Sequence, residues 1–95
     1  MKSLPVPVSQ LLNLGPKSES WLNDVGIHSK HDLEQVGAVQ AFLLLKGKGH
    51  KPSLNMLYAM AGALMGVRWD KLTGKKKAKL LLEVDALEDF RKQMR

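Results

Sequence analysis

The chain contains no cysteine, and that absence removes disulfide scaffolds, thiolate metal sites and thiol nucleophiles together. Aromatic residues make up only 5%, which leaves little with which to stack exposed bases. No apolar run reaches the roughly twenty residues that a bilayer crossing needs. The most apolar stretch, residues 54–67, suits a core helix better, so no membrane partner is expected. The N-terminus carries one Lys before Leu4-Pro5-Val6-Pro7-Val8. With no continuous apolar segment there, a secretory signal is not indicated and a cytoplasmic location is expected. Catalytic signatures are missing too: none of Ser3, Ser9, Ser18, Ser20, Ser29 or Ser53 sits in a nucleophile elbow, and no glycine-rich loop precedes a Lys-Ser or Lys-Thr pair. His28 and His31 are three apart but have no third ligand of a known pattern nearby, so they read as ordinary surface histidines. The expectation is a non-enzyme with no catalytic residue, metal ligand or cofactor.

What is present describes one domain over residues 1–95. A length of 95 residues supports a modest core and not two, and 44% hydrophobic with 25% charged residues is ordinary for a globular protein. The net charge of +6 is unevenly placed. Residues 46–79 hold Lys46, Lys48, Lys51, Arg68, Lys71, Lys75, Lys76, Lys77 and Lys79 against Asp70 alone, a local +8, while the segments on either side are each −1. A local field of one sign suits an acidic partner such as nucleic acid; a Lys-rich solvated face that keeps a small protein dispersed accounts for the charge equally well. Lys46, Lys48, His50, Lys51, Lys75, Lys76, Lys77 and Lys79 are the candidate nucleic-acid or partner contacts. His50 also has a second role open to it, closing the C-terminus of the helix before it.

Helical punctuation runs the length of the chain and no strand-like alternation interrupts it. The pattern predicts short helices over Ser9–Leu12 and Pro16–Val25, the second stopped by Gly26. Ser29-Lys30-His31-Asp32 has the spacing of a capping box for a third helix running to Val36. Gly37 then permits a sharp change of direction into a fourth helix, Ala38–Lys46. Ser53 caps a fifth, Leu54–Met65, closed by Gly66 and apolar almost all round, hence expected at the centre. A sixth runs from about Lys75 with a stripe of Leu80, Val84, Leu87, Phe90 and Met94, and its opening lysines oppose the helix dipole. Leu81 and Leu82 beside that stripe make a second copy of the chain a candidate partner. Trp21 and Trp69 read as core anchors, and Met56, Met60 and Met65 as core filler.

The most informative run is Asn13-Leu14-Gly15-Pro16-Lys17-Ser18, a tight turn between two helices. Pro16 suits a first helical position with Gly15 as N-cap, Asn13 tolerates left-handed backbone, and Gly15 is expected to need a conformation that side chains resist. A helix N-terminus at such a turn suits phosphate. The order of elements is that of a helix-hairpin-helix motif. Leu14-Gly15-Pro16-Lys17-Ser18-Glu19, Trp21-Leu22, Gly26-Ile27, Asp32-Leu33, Gly37-Ala38-Val39, Gly49-His50, Pro52-Ser53-Leu54-Asn55, Leu57-Tyr58-Ala59, Gly62-Ala63-Leu64 and Trp69 together resemble the C-terminal domain of the TfoX/Sxy family of bacterial competence regulators, from about Leu11 to Leu81.

That resemblance implies an all-α fold, a compact bundle of five or six short helices of helix-hairpin-helix or SAM-like type. Full-length relatives carry an N-terminal α/β domain and assist transcription of DNA-uptake genes alongside the cAMP receptor protein; this chain looks like a stand-alone form of their second domain. The leading reading is a regulatory module resembling that domain, in contact with a transcription protein and with DNA backbone; binding of duplex by the basic segment 46–79 is expected to be weak and indifferent to sequence. The other reading is a protein-interaction or self-association domain with no nucleic-acid role. Two departures bear on the choice: Asn13 replaces the first hairpin glycine, and Glu19 stands where many DNA-binding hairpins have a small alanine.

Overall fold

Pro16 opens the first helix as the sequence predicts. In a computed structural model, which describes residues 11 and 13–93, helix α1 spans Pro16–Asp24 with Gly15 as N-cap. It ends where Gly26 donates to the Asn23 carbonyl at 3.1 Å and Ile27 to the Leu22 carbonyl at 2.9 Å. This is a glycine-closed terminus that satisfies the last carbonyls and folds Ile27 into the core. Helix α2, Lys30–Val36, is capped by Ser29, whose hydroxyl accepts from the Asp32 N–H at 3.2 Å. Asp32 answers by accepting from the His28 N–H at 3.0 Å. That bond, first among several, holds the Asp32 carboxyl below its ordinary value.

Gly37 is the single residue between α2 and α3, serving as C-cap of one helix and N-cap of the next at φ 86°, ψ 154°. Only glycine adopts that backbone without strain, so the expected change of direction is fixed by this residue. Gly15 behaves differently from expectation. Its φ of −125° and ψ of −168° are extended backbone open to any residue, and a side chain there would meet no atom within 4 Å. The left-handed residue of the hairpin is Asn13, at φ 74°.

Helix α3, Ala38–Lys48, continues through Gly47 and stops at the left-handed Gly49, one turn-fraction later than the glycine pair suggested. Helix α4 spans Leu54–Met65, with the Ser53 hydroxyl accepting from the Met56 N–H at 3.3 Å. A 3₁₀ turn, Trp69–Lys71, leads to α5, Gly74–Gln93. There the Thr73 hydroxyl accepts from the Lys76 N–H at 3.2 Å. No strand occurs among the described residues, and the fold is all-α. The predicted Ser9–Leu12 helix, apart from Leu11, lies outside the described residues, as do Met94 and the Trp69 side chain.

The core joins α1 to α4 and one stripe of α5, with Leu22, Ile27, Leu33, Leu45, Leu57 and Met60 fully enclosed. Burying such a side chain contributes roughly 1.5–3 kcal/mol each. The hub is α3 rather than α4, since its principal neighbours are α1, α2, α4 and α5, while α4 packs on α2, α3 and the 3₁₀ turn. Uniform apolarity marks α4 as buried, but its Leu54 and Met65 lie exposed at its two ends, and position in the chain puts α3 between the others. Met60 fills the core as expected, whereas Met56 is half-buried. The α5 stripe departs further from expectation: Val84 is buried and Leu80 half-buried, but Leu87 and Phe90 are exposed. Helix α5 stays within reach of α3 as far as Glu88, which holds Lys46, but this face is only partly covered there.

Candidate functional site

The hairpin is tied down from both sides. The Asn13 side-chain amide donates to the Val67 carbonyl at 3.0 Å and to the Ala59 carbonyl at 3.4 Å, which fastens the turn to α4 and to the chain just after it. A glycine at this position would supply the left-handed backbone but not the amide. The replacement of the first hairpin glycine is thus an architectural exchange. Leu14 is buried beneath the turn and donates its N–H to the Leu11 carbonyl at 3.2 Å.

Outside this tie lies a cleft of about 430 Å³. The first turn of α1 brings Lys17 and Ser18 to it, and the start of α4 brings Ser53, Asn55 and Met56; Asn13, Trp21, Lys51 and Ala59 complete the lining. Both helices therefore present their N-terminal ends to one concavity, where the dipoles favour negative charge, although the Met56 N–H is already taken by the Ser53 cap. Lys17 and Lys51 add two full positive charges. The Lys17 ammonium stands 5.2 Å from the centre of the Trp21 ring, a cation–π contact that holds it over the cleft wall.

His50 braces this arrangement. Its backbone N–H donates to the Leu45 carbonyl at 3.0 Å and closes α3, which is the capping role the sequence predicts. The imidazole does something the sequence did not announce. It stacks on Trp21 with ring centres 4.7 Å apart and planes 23° from parallel, and its Nε2 lies 3.0 Å from a carboxylate oxygen of Asp24. Trp21 is accordingly half-buried, packed on the core with one face in this stack. No local signal could reveal a contact between Asp24 and His50, since they lie on different elements and meet only through the fold of α1 onto α3.

The other predicted contact residues fall in several places. Lys46 is drawn to α5, with its ammonium 2.9 Å from a Glu88 carboxylate oxygen and 5.6 Å from the Phe42 ring centre. Glu88 stands three turns beyond Lys77, about 16 Å along the helix, which separates Lys46 from the opening lysines of α5. Lys48 is exposed on the last turn of α3. Lys77 lies 5.2 Å over the Tyr58 ring of α4, and Lys76 and Lys79 border a second cleft of about 240 Å³ with Leu72 and Met65. Lys75 is exposed. The structure thus brings Lys17, Lys51 and His50 together around Trp21 and sets the α5 lysines apart from them. Ser53 and Asn55 joined the cleft without having been singled out as contacts.

No helix among the described residues is long and apolar enough to cross a membrane. Among solved structures, the chain is similar to an uncharacterized protein from Listeria monocytogenes in a triclinic crystal form, at 34% identity and a TM-score of 0.78, covering 87% of this chain and 94% of that one. It is also similar to a protein of unknown function from Listeria monocytogenes in a tetragonal form, again at 34% identity, with a TM-score of 0.75 and coverage of 83% and 98%. No curated protein matches the chain. The family model described as the TfoX C-terminal domain matches residues 6–84, slightly beyond the span of the resemblance at both ends. The chain belongs to the TfoX C-terminal domain family.

Proposed function

We propose that this family member is a non-enzymatic regulatory module whose hairpin cleft receives backbone phosphate of nucleic acid, without reading sequence, alongside a transcription protein. The observation that carries this reading is the convergence of the first turns of α1 and α4, with Lys17 and Lys51, on one cleft. The positive ends of two helix dipoles and two ammonium groups converge there on a space that a phosphate oxygen group can enter. Lys48 lies near it along the chain and extends the basic surface; Lys76 and Lys77 supply a second basic area at α5. Glu19, one turn into α1, opposes an incoming phosphate, so the affinity expected is that of a weak, salt-sensitive contact rather than of a tight clamp.

Titration of labelled duplex at low salt tests the reading. The expected Kd lies in the range of non-specific binding, about 10⁻⁴ to 10⁻⁶ M, and log K falls with log salt by about 0.9 for each phosphate neutralised. Lys17→Glu with Lys51→Glu is expected to abolish binding and leave the circular dichroism spectrum unchanged. Absence of binding at about 100 μM protein, or unchanged affinity in the double variant, overturns it. The reading left standing would be the protein-interaction module, which the exposure of Leu82 at 69% and Phe90 at 57% on α5 favours.

A further inference from the structure

One face of α5 is charged against its own interest. Lys75 and Lys79 stand four residues apart near its N-terminus, and Asp85 and Asp89 four apart near its C-terminus. Like charges at that spacing destabilise a helix, and Lys75, in the first turn, also opposes the helix dipole. All four are exposed, and none has an ion-pair partner among the described residues. The neighbouring charges are used differently, since Glu88 holds Lys46 and Lys77 covers Tyr58.

At 100° per residue the four fall within a stripe about 120° wide, opposite the face that buries Val84. Midway between them on the same stripe is Leu82, the most exposed of the large apolar side chains described, at 69%. On either side of Leu82 the stripe holds a small residue, Ala78 and Ala86, both exposed. Read outward from Leu82 in both directions, the stripe shows alanine against alanine and lysine against aspartate. A surface with that inversion is complementary to itself when turned end for end, which is the requirement for an isologous two-fold interface.

We propose that this chain self-associates through α5, two copies packing their α5 helices antiparallel about a two-fold axis at Leu82. In that arrangement Leu82 meets Leu82 of the second copy, and the alanines let the backbones approach. Lys79 comes level with Asp85 of the second copy and Lys75 with its Asp89, about 5 and 10 Å from the axis. The helix dipoles, opposed within the pair, now lie beside charges of the favourable sign. This surface lies apart from the hairpin cleft, and its test involves no nucleic acid, so either proposal can fail alone.

The absence of native cysteine makes the geometry directly testable. Under mild oxidation Leu82→Cys is expected to cross-link to itself, whereas Lys75→Cys and Asp89→Cys cross-link to each other in a mixture and not to themselves. Sedimentation equilibrium of the charge variants supplies the second readout. Lys75→Glu with Lys79→Glu, and separately Asp85→Lys with Asp89→Lys, are each expected to weaken self-association about tenfold or more, and an equimolar mixture is expected to restore it. Adding Leu82→Lys to both variants is expected to remove that restored association. Cross-linking of Lys75→Cys to itself in preference to Asp89→Cys overturns the antiparallel pairing. A wild-type chain that stays monomeric at high micromolar concentration, with Leu82→Cys failing to cross-link, overturns the proposal.

Discussion

Helices α4 and α5 are the two longest and have little else in common. Six of the twelve residues of α4 are buried, four of them Ala or Gly, so its sequence is committed to close packing beneath the hairpin. In α5 only Val84 is buried among the described side chains, with Leu80 and Leu81 half-buried beside it. One helix is a structural floor, and Asn13 is bonded across it; the other is attached along a narrow line and keeps the rest of its surface. A small domain cannot enclose every helix on all sides, and here the exposed surface has been concentrated in α5. The contrast also separates the two proposed contacts, since the hairpin cleft draws rigidity from α4 while the outer stripe of α5 needs only to remain helical.

The comparison predicts its largest difference for deletion of a leucine. Leu57→Ala in α4 removes a side chain with no exposed surface, and the loss of burial together with the cavity left behind is expected to cost about 2–5 kcal/mol. Leu82→Ala in α5 is expected to stay within about 0.5 kcal/mol in the monomer, as surface substitutions do. Urea denaturation at low protein concentration checks both. A comparable loss at the two positions would mean that α5 is far better packed than its exposed face indicates.

Much of this division could be read from residues alone, and the exceptions have a common cause. Caps and stops are local chemistry: Ser29, Ser53, Gly26, Gly49 and Gly66 act as their residue types predict, and the all-α class followed from such punctuation. The α5 stripe failed at Leu87 and Phe90 because helical period reports a face, not how completely the neighbouring elements cover it. Gly15 misled because proximity to a turn suggested strain that Asn13 absorbs two residues earlier. At the site, Lys17 and the hairpin were visible as a phosphate-suited terminus. Lys51, Ser53 and Asn55 joined them only because the fold brings the start of α4 to the same cleft as the first turn of α1, and the pairing of His50 with Asp24 has no trace in either local sequence.

A pair of glycine substitutions sharpens the same contrast on the backbone. Gly37→Ala is expected to destabilise the domain by about 1–3 kcal/mol, since alanine must be forced into the φ 86°, ψ 154° joint between α2 and α3. For a domain of this size each kcal/mol lowers the melting temperature by about 4–8 °C. Gly15→Ala, in extended backbone with open space around it, is expected to change stability by less than about 0.5 kcal/mol. Equal losses would place the constraint of the hairpin at Gly15 after all and remove the architectural role assigned to Asn13.

The smallest expected effect belongs to the cap of α2 and is seen only as a dependence on pH. Asp32 accepts from the His28 N–H, its largest influence, and from Ser29 as well, and both bonds favour the ionised carboxylate. Its folded pKa is therefore held below the ordinary 3.8. A carboxyl depressed in the folded state contributes stability that is fully present above its unfolded pKa and is lost as pH falls through the folded value. Asp32→Ala should melt below the wild type at neutral pH, and the gap should narrow as the pH drops from about 5 through the acid range. The Leu57→Ala gap, which involves no proton, should hold steady over the same interval. An Asp32→Ala gap that also stays constant with pH would mean that the side chain acts through packing rather than through its charge, and that the start of α2 is closed by the Ser29 hydroxyl alone.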